Sequence, residues 1–180
     1  MIIFLYWCNN IKIKNNPEWN IISVTKTDIQ SQEERLYQNK KKWFSLKIVT
    51  WRKIQEDTNW LLVFITSPQK QWDTIKENLW INVYPQSDKK TAEEYYLQQK
   101  QGIENHIKDY KEISKEEYKI GEERWLKIIY KWILWNNKLQ RQQIILYKNW
   151  KIFLITYTAT QETFDEYIDQ INEIIKSLKF

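Results

Sequence analysis

Glycine is nearly absent from this chain, which contains two glycines, Gly102 and Gly121, in 180 residues. Loops that cradle a phosphate group need several glycines close together, so nucleotide-binding loops of this kind are excluded. Tight turns must also be built largely from other residues. Asparagine is the expected substitute, because it tolerates the left-handed backbone conformation that such turns require.

Cysteine and histidine occur once each, as Cys8 and His106. A single cysteine excludes an intramolecular disulfide and a cysteine-based zinc site. A single histidine excludes multi-histidine metal centres, including the HExxH arrangement. His106 falls near Glu104 and Asp109 in the sequence, but a solvated surface side chain is the simpler interpretation. The sequence therefore predicts no metal site and no cofactor.

The residue combinations that most acid–base and nucleophilic enzymes use are also missing. No serine lies in a Gly-x-Ser-x-Gly setting, and no nucleophile is matched with a histidine base. Acidic pairs such as Glu93-Glu94 and Glu122-Glu123 lack the spacing of an EF-hand calcium loop and are interpreted as solvated surface. We therefore predict that the protein is not an enzyme and has no catalytic residues.

Positive and negative charges are nearly balanced. The chain has 28 Lys and Arg residues against 23 Asp and Glu residues, a formal net charge of +5. A nucleic-acid binder more often concentrates its positive charge on one face or tail. The richest basic run, residues 40–42, is short, so no nucleic-acid partner is predicted. Binding of single strands by lysine and tryptophan side chains together is the third-ranked hypothesis.

The first seven residues, MIIFLYW, are apolar, and Cys8 follows them directly. This order is similar to the end of a bacterial lipoprotein signal and its acceptor cysteine. Tyr6 and Trp7 stand where the signal peptidase prefers small residues, so an ordinary thiol behind a short apolar leader is the alternative. Cys8 is accordingly a candidate lipidation site and lipid anchor.

The chain is predicted to consist of a leader and one domain. Residues 1–41 are interpreted as the apolar leader, a candidate truncated signal, and a flexible segment, because sustained periodicity is missing there. Residues 42–180 are interpreted as the compact domain, a length that suits one hydrophobic core. No run of 18 apolar residues occurs, so no membrane-spanning helix is predicted.

Hydrophobic periodicity predicts strands, a helix, further strands and a closing helix. The predicted strands are residues 43–51, 60–66, 79–84, 110–120, 124–135, 139–147 and 152–158. A capping box of Thr91 and Glu94 starts the first helix, and the second spans residues 161–177. Asn136-Asn137 is predicted to be a hairpin turn. The fold class is α+β: an antiparallel sheet of about six to seven strands with two packed helices.

Tryptophan is unusually frequent, with eleven residues. Trp125 and Trp135 fall on one face of the predicted strand 124–135, opposite the apolar row from Leu126 to Leu134. If no helix covers that face, the two indoles form an exposed aromatic platform, which is typical of an interaction site. If the face is covered, they belong to the core. The sequence leaves both alternatives open.

Several segments, taken in order, resemble the PsbP family of extrinsic, membrane-peripheral proteins. They are WFSL at 43–46, LVFITSP at 62–68, NLWINVYP at 78–85, the helix start at 91–95, residues 118–121 and the closing segment 150–180. The likeness covers about residues 42–180. It implies a twisted antiparallel sheet flanked by helices, a fold also used by the Mog family of Ran-binding nuclear proteins, and no enzymatic activity.

The resemblance also implies a class of function. Photosynthetic PsbP proteins are extrinsic proteins of photosystem II that help to retain calcium and chloride, and their non-photosynthetic relatives are typically exported proteins or lipoproteins. This chain has Val49-Thr50-Trp51 where the family usually has Tyr-Pro-x-x-Trp, which argues against a photosystem role. The expectation is an extracytoplasmic, membrane-associated accessory protein that binds a protein complex, with weak calcium binding at most. The alternative is an intracellular Mog-type adaptor for a small GTPase.

Overall fold

The computed structural model describes residues 34–39, 44–49, 54–56, 60–64, 77–86 and 91–179, which contain nine strands and two helices. The strands are β1 (Glu34–Asn39), β2 (Phe44–Val49), β3 (Ile54–Glu56), β4 (Trp60–Phe64), β5 (Asn78–Pro85), β6 (Lys111–Ile120), β7 (Glu123–Leu134), β8 (Asn137–Lys148) and β9 (Lys151–Thr160). The helices are α1 (Ala92–His106) and α2 (Phe164–Lys176). These elements belong to one compact unit, Glu33–Phe180.

Seven strands form one sheet in the order β3-β4-β5-β9-β8-β7-β6, and each neighbouring pair is antiparallel. The strands β1 and β2 form a separate antiparallel pair. Two backbone hydrogen bonds of 2.8 Å between Ser45 and Lys179 join β2 to the segment that follows α2. The prediction of an α+β fold with about six to seven strands and two packed helices is confirmed.

The strand β1 lies in the segment that the sequence interpretation assigned to the leader. It pairs with β2 along its whole length, and the rings of Tyr37 and Phe44 lie with their centroids 6.1 Å apart. The segment assigned to the leader therefore contributes one strand, Glu34–Asn39, to the described structure. Alternation does not reveal this strand, since Leu36 and Tyr37 are adjacent and Leu36 is exposed.

Both faces of the seven-stranded sheet carry apolar clusters. On one face, β2 and α2 contribute side chains to the same cluster as β5, β7, β8 and β9. The members from β2 and α2 are Phe44, Leu46, Ile48, Phe164, Ile171, Ile174 and Ile175. On the other face, α1 contributes Tyr95 and Tyr96, which pack with side chains of β7, β8 and β9. We call these the α2 face and the α1 face.

The start of α1 is the element that the sequence predicts most closely. Thr91 Oγ1 accepts a hydrogen bond from the Glu94 backbone N–H at 3.1 Å, and Glu94 Oε2 accepts one from the Thr91 N–H at 2.7 Å. The capping box is therefore confirmed. Both bonds satisfy backbone donors that lack partners in the first turn of a helix.

The strands β6 to β9 follow one another through two-residue turns. The residues with positive φ in these turns are Gly121 (58°), Trp135 (48°), Asn136 (84°), Asn149 (50°) and Trp150 (59°). In the last two turns both central residues have positive φ, which is the type I′ arrangement, whose twist matches that of the flanking strands. Asparagine therefore takes a position usually given to glycine in two turns, as the low glycine content predicts.

The turn between β7 and β8 lies one residue earlier than predicted. Its central residues are Trp135 and Asn136, because Asn137 already pairs with Leu134 as the first residue of β8. The two adjacent asparagines allow either placement by local preference. The pairing of the strands on either side selects one of them.

Candidate functional site

Trp125, one half of the predicted aromatic platform, is a core residue. Its side chain is 1% exposed and lies in the cluster on the α2 face. The prediction that Trp125 belongs to an interaction face is therefore corrected. The face on which it lies is covered by side chains of α2 and β2, so the indole is not available to a partner.

Trp135, the other half, is exposed but lies at a hairpin tip. It occupies the first central position of the turn between β7 and β8, and 62% of its surface is accessible. The alternation that placed it beside Trp125 does not extend into a turn, because the chain reverses direction there. The structure therefore keeps Trp135 as a candidate interaction residue and separates it from Trp125.

A second exposed tryptophan, Trp150, was not predicted as a site residue. It occupies the second central position of the turn between β8 and β9 and is 60% exposed. Its carbonyl oxygen accepts a hydrogen bond of 2.9 Å from the Gln86 N–H, which ties the turn to the end of β5. The sequence signal was the neighbouring Asn149, which marks a turn and therefore a solvent-facing position.

Both exposed tryptophans have a backbone conformation that is unfavourable for a bulky residue. Left-handed φ costs an L-residue other than glycine about 1–2 kcal/mol. An indole that remains more than half exposed regains little of this through burial. Trp135 and Trp150 therefore have an unfavourable backbone conformation with no compensating burial among the described residues, and such positions are candidates for a functional role.

The two tips lie at opposite ends of the sheet. One turn precedes β8 and the other follows it, and β8 has 12 residues. At about 3.3 Å per residue, the tips are roughly 35 Å apart. Trp135 and Trp150 are therefore two separate contact points rather than one platform.

Replacing the tip tryptophans with turn-forming residues is expected to stabilise the protein. Trp135→Asn and Trp150→Gly should each raise the free energy of unfolding by up to about 1 kcal/mol, because both new residues accept positive φ with less strain. Urea unfolding followed by circular dichroism measures the change. A loss of stability in either variant would show that the indole makes a stabilising contact despite its exposure.

A polar network connects α1 to the edge strand β6. The Tyr96 hydroxyl donates to Glu112 Oε2, which also accepts from Lys100 Nζ at 2.8 Å, and the Tyr110 hydroxyl lies 3.1 Å from that of Tyr96. Hydrogen bonds from Lys100 and Tyr96 lower the pKa of Glu112 below its usual value. Burial and the bond to Glu112 raise the pKa of Tyr96. At neutral pH the Glu112 carboxylate is therefore ionised and the Tyr96 phenol is neutral. In these states the phenol can donate and the carboxylate can accept, so the hydrogen bond connects α1 to β6.

The remaining residues singled out by sequence do not form a site with these groups. Cys8 lies outside the described residues. His106 is exposed at the end of α1, and its Nδ1 donates to the Gly102 carbonyl oxygen at 2.8 Å. Within the described ranges, no three His, Cys, Asp or Glu side chains are placed to hold a metal ion. No helix in this part of the chain has the length and apolar character needed to cross a membrane.

Comparison with known sequences identifies one family. The DcrB family model matches residues 55–177, which is more than half of the chain. None of the curated proteins matches the chain in sequence.

Three solved structures show the same fold. PA94 from Pseudomonas aeruginosa, described as a candidate regulator of unknown function, has 13% identity and a TM-score of 0.60, over 82% of this chain and 96% of that chain. The PsbP protein CyanoP of Synechocystis sp. PCC 6803 has 10% identity and a TM-score of 0.55, over 87% and 97%. A mutant form of the protein Mog1 has 6% identity and a TM-score of 0.54, over 82% and 95%. The predicted PsbP/Mog-like fold is confirmed, whereas membership of the PsbP family itself is not.

Proposed function

Because the chain belongs to the DcrB family and has a PsbP/Mog-like fold, we propose that it is a non-enzymatic accessory protein that docks on a protein complex at a membrane surface. The observation that carries this proposal is the pair of exposed tryptophans, Trp135 and Trp150, held in strained turns. Tryptophan is enriched among the residues that dominate binding energy at protein interfaces. Binding of a partner at these tips would bury the two indoles, which are exposed in the isolated chain.

The spacing of the two tips limits how such a partner binds. A standard interface covers about 800 Å² on each side, which corresponds to a patch roughly 30 Å across. Trp135 and Trp150 are roughly 35 Å apart along β8, so a single interface of standard size could include both only at its opposite edges. We therefore expect either two partner subunits, one at each tip, or one elongated partner that follows the sheet.

The charge distribution favours a protein partner over a nucleic acid. Many basic side chains of the described residues are already paired with carboxylates. The pairs are Lys100–Glu112, Lys115–Glu93, Arg124–Glu117, Lys127–Glu116, Lys148–Glu123 and Lys176–Glu173. Paired cations release fewer counterions from a phosphate backbone than free ones do, so nucleic-acid affinity is expected to be low.

The docking proposal is tested by sedimentation with membranes. The purified chain is mixed with membranes of its native host, with the same membranes after protease treatment, and with protein-free lipid vesicles. We expect binding to intact membranes, loss of binding after protease treatment, and at least a roughly tenfold weaker interaction for the Trp135→Asn/Trp150→Gly double variant, since two interface hot spots are removed. Leu97→Asn is the matched control, because Leu97 is an exposed apolar residue that belongs to α1 and not to a hairpin turn.

Two results would contradict the docking proposal. Equal binding to protein-free vesicles would show that the protein binds the lipid surface itself and not a protein complex. Unchanged binding of the double variant, with reduced binding of Leu97→Asn, would move the interface from the hairpin tips to α1.

We further propose that Cys8 anchors the protein to the membrane outside the cytoplasm. The apolar run before Cys8 motivates this part of the proposal. The protein expressed from its complete reading frame is expected in the membrane fraction, and its Cys8→Ser variant in the soluble fraction. Equal distribution of the two proteins would remove the anchor while leaving the docking proposal intact.

An intracellular adaptor is the second candidate. Mog1 and CyanoP have almost the same structural similarity to this chain, with TM-scores of 0.54 and 0.55, so the fold does not distinguish their roles. Recovery of the native protein in the cytosol, together with direct binding to a purified small GTPase of the host, would favour the adaptor. Recovery outside the cytoplasm would exclude it.

A further inference from the structure

Arg141 is held in a fixed position on the α1 face. Its Nε donates to Thr158 Oγ1 at 3.0 Å and its Nη1 donates to the Tyr130 hydroxyl at 3.1 Å. Its guanidinium carbon lies 4.7 Å from the centre of the Trp132 ring. Two bonded donors and one stacked face fix both the position and the plane of the guanidinium group.

This cation lacks an acidic counterpart among the residues that the structure describes. Arginine has five N–H donors, and the bonds to Thr158 and Tyr130 use two of them. The other three donors have no partner in the described ranges, and no described carboxylate forms an ion pair with Arg141. Arg141 is half-buried, and its unbonded Nη2 is not among the buried atoms that lack a partner, so a preoriented positive charge keeps free donors that a ligand can reach.

Gln143 supplies a second unsatisfied group on the same face. It lies two residues from Arg141 along β8, which places both side chains on the α1 face about 7 Å apart at their origins. Its side chain is 4% exposed, and its Oε1 has no hydrogen-bond partner among the described residues. Leaving a buried acceptor unsatisfied is unfavourable, so this oxygen is a position for an external donor.

The adjacent Gln142 shows what a satisfied glutamine looks like on this strand. It lies on the α2 face, is 1% exposed, and donates through Nε2 to Asn172 Oδ1 of α2 at 3.1 Å. Gln143 instead lies opposite Thr156 in the sheet register. The two glutamines are adjacent and both are buried. The unsatisfied oxygen belongs to Gln143, whose side chain lies on the same face as that of Arg141.

We propose that Arg141 and Gln143 form a binding site for a small monocarboxylate that carries a hydroxyl or ammonium donor next to its carboxylate group. The planar guanidinium matches the two oxygens of a carboxylate, and Gln143 Oε1 accepts from the neighbouring donor. One cation balances one negative charge, so a dianionic phosphate is a poor match. The near-complete burial of Tyr130, Trp132 and Thr158 limits the ligand to a small molecule.

The site is tested by titrating the whole protein with glycolate, acetate and inorganic phosphate in a calorimeter. Glycolate has the donor and acetate lacks it. For ligands of this size we expect glycolate to bind with a Kd of about 1 mM. Acetate should bind about tenfold more weakly because Gln143 Oε1 then stays unsatisfied. Phosphate should show no binding stronger than that of acetate.

Two variants and one matched control assign the binding to these side chains. Arg141→Lys keeps the charge but loses the planar fork, so glycolate affinity should fall about tenfold. Gln143→Leu should abolish the preference for glycolate over acetate and raise the melting temperature of the free protein. Gln142→Leu, on the opposite face, should leave binding unchanged and lower the melting temperature, since it breaks the bond to Asn172.

A measurement on the unaltered chain keeps the proposal independent of how well the variants fold. In a ¹⁵N-edited NMR titration, glycolate should shift the Arg141 Nε–H and the Gln143 side-chain amide signals at the concentration at which heat is released. The proposal is overturned if none of the three compounds binds, if glycolate and acetate bind equally, or if these signals do not move. None of these results affects the docking proposal, which depends on the two hairpin tips.

Discussion

Trp125→Ala is expected to lower the free energy of unfolding by about 3–5 kcal/mol, the usual cost of truncating a large buried aromatic residue. The side chain is 1% exposed and lies among the apolar residues of the α2 face. Its removal leaves a cavity between β7 and elements that come from both ends of the described chain. The surrounding side chains relax only partly into such a space.

Trp135→Ala is the matched control for this prediction. Trp135 follows the same strand and is 62% exposed, so its truncation should change the free energy of unfolding by less than about 0.5 kcal/mol. Urea unfolding followed by far-ultraviolet circular dichroism measures both variants without dependence on the fluorescence of the removed indole. Similar effects for the two truncations would contradict the covered α2 face, whereas a large difference supports it.

Glu112→Gln is expected to lower the free energy of unfolding by about 1–3 kcal/mol at neutral pH, the usual effect of removing one member of a part-buried network of hydrogen bonds. The carboxylate receives hydrogen bonds from Lys100 and Tyr96. The neutral amide of glutamine at this position loses the charge attraction to Lys100. It also offers one acceptor oxygen in place of two. The connection between α1 and β6 is therefore weakened on both of its bonds.

The same network predicts how stability depends on pH. Hydrogen bonds from Lys100 and Tyr96 lower the pKa of Glu112 in the folded protein below its ordinary value of 4.5, with a smaller contribution from Lys115. A carboxyl group whose pKa is lower in the folded state stabilises that state above its unfolded pKa. This contribution is lost as the pH falls through the lower, folded value. The stability advantage over Glu112→Gln should therefore be full at pH 7 and shrink below about pH 4.

Unfolding curves at pH 7, 5 and 3 for the unaltered protein and for Glu112→Gln test this prediction. Glu116→Gln is the control, because Glu116 lies on the same strand, pairs with Lys127 and is 53% exposed. A surface ion pair of this kind contributes about 0–1 kcal/mol, so this variant should show little change at any pH. An equal difference between Glu112→Gln and the unaltered protein at all three pH values would show that the charge of Glu112 is not what stabilises the contact.

Much of the fold followed from local patterns. Alternation and apolar runs predicted β2 and the strands from β4 to β9 within a few residues, and the pair Thr91 and Glu94 predicted the start of α1. Low glycine content predicted asparagine in the turns, and Asn136 and Asn149 have positive φ. These features depend on backbone sterics and on neighbours within one turn or strand, so the residues nearby in sequence are sufficient to determine them.

The candidate site was predicted less well. Alternation put Trp125 on one face of its strand, but it carries no information about what covers that face. The covering residues come from β2 and α2, which are distant in sequence from β7. Trp150 was not recognised as exposed, because the choice between adjacent turn positions depends on the pairing of β8 with β9.

The sequence by itself determined the type and order of most elements and the class of fold. It also contains too few cysteine, histidine and glycine residues for disulfides, multi-histidine metal sites and glycine-rich phosphate loops. The tertiary structure alone decided that Trp125 is core, that Trp135 and Trp150 are separate exposed tips, and that Arg141 meets Tyr130, Thr158 and Trp132. The physical reason is range. Periodicity and capping act over a few residues, whereas burial and the satisfaction of a buried polar group depend on segments that only the sheet brings together.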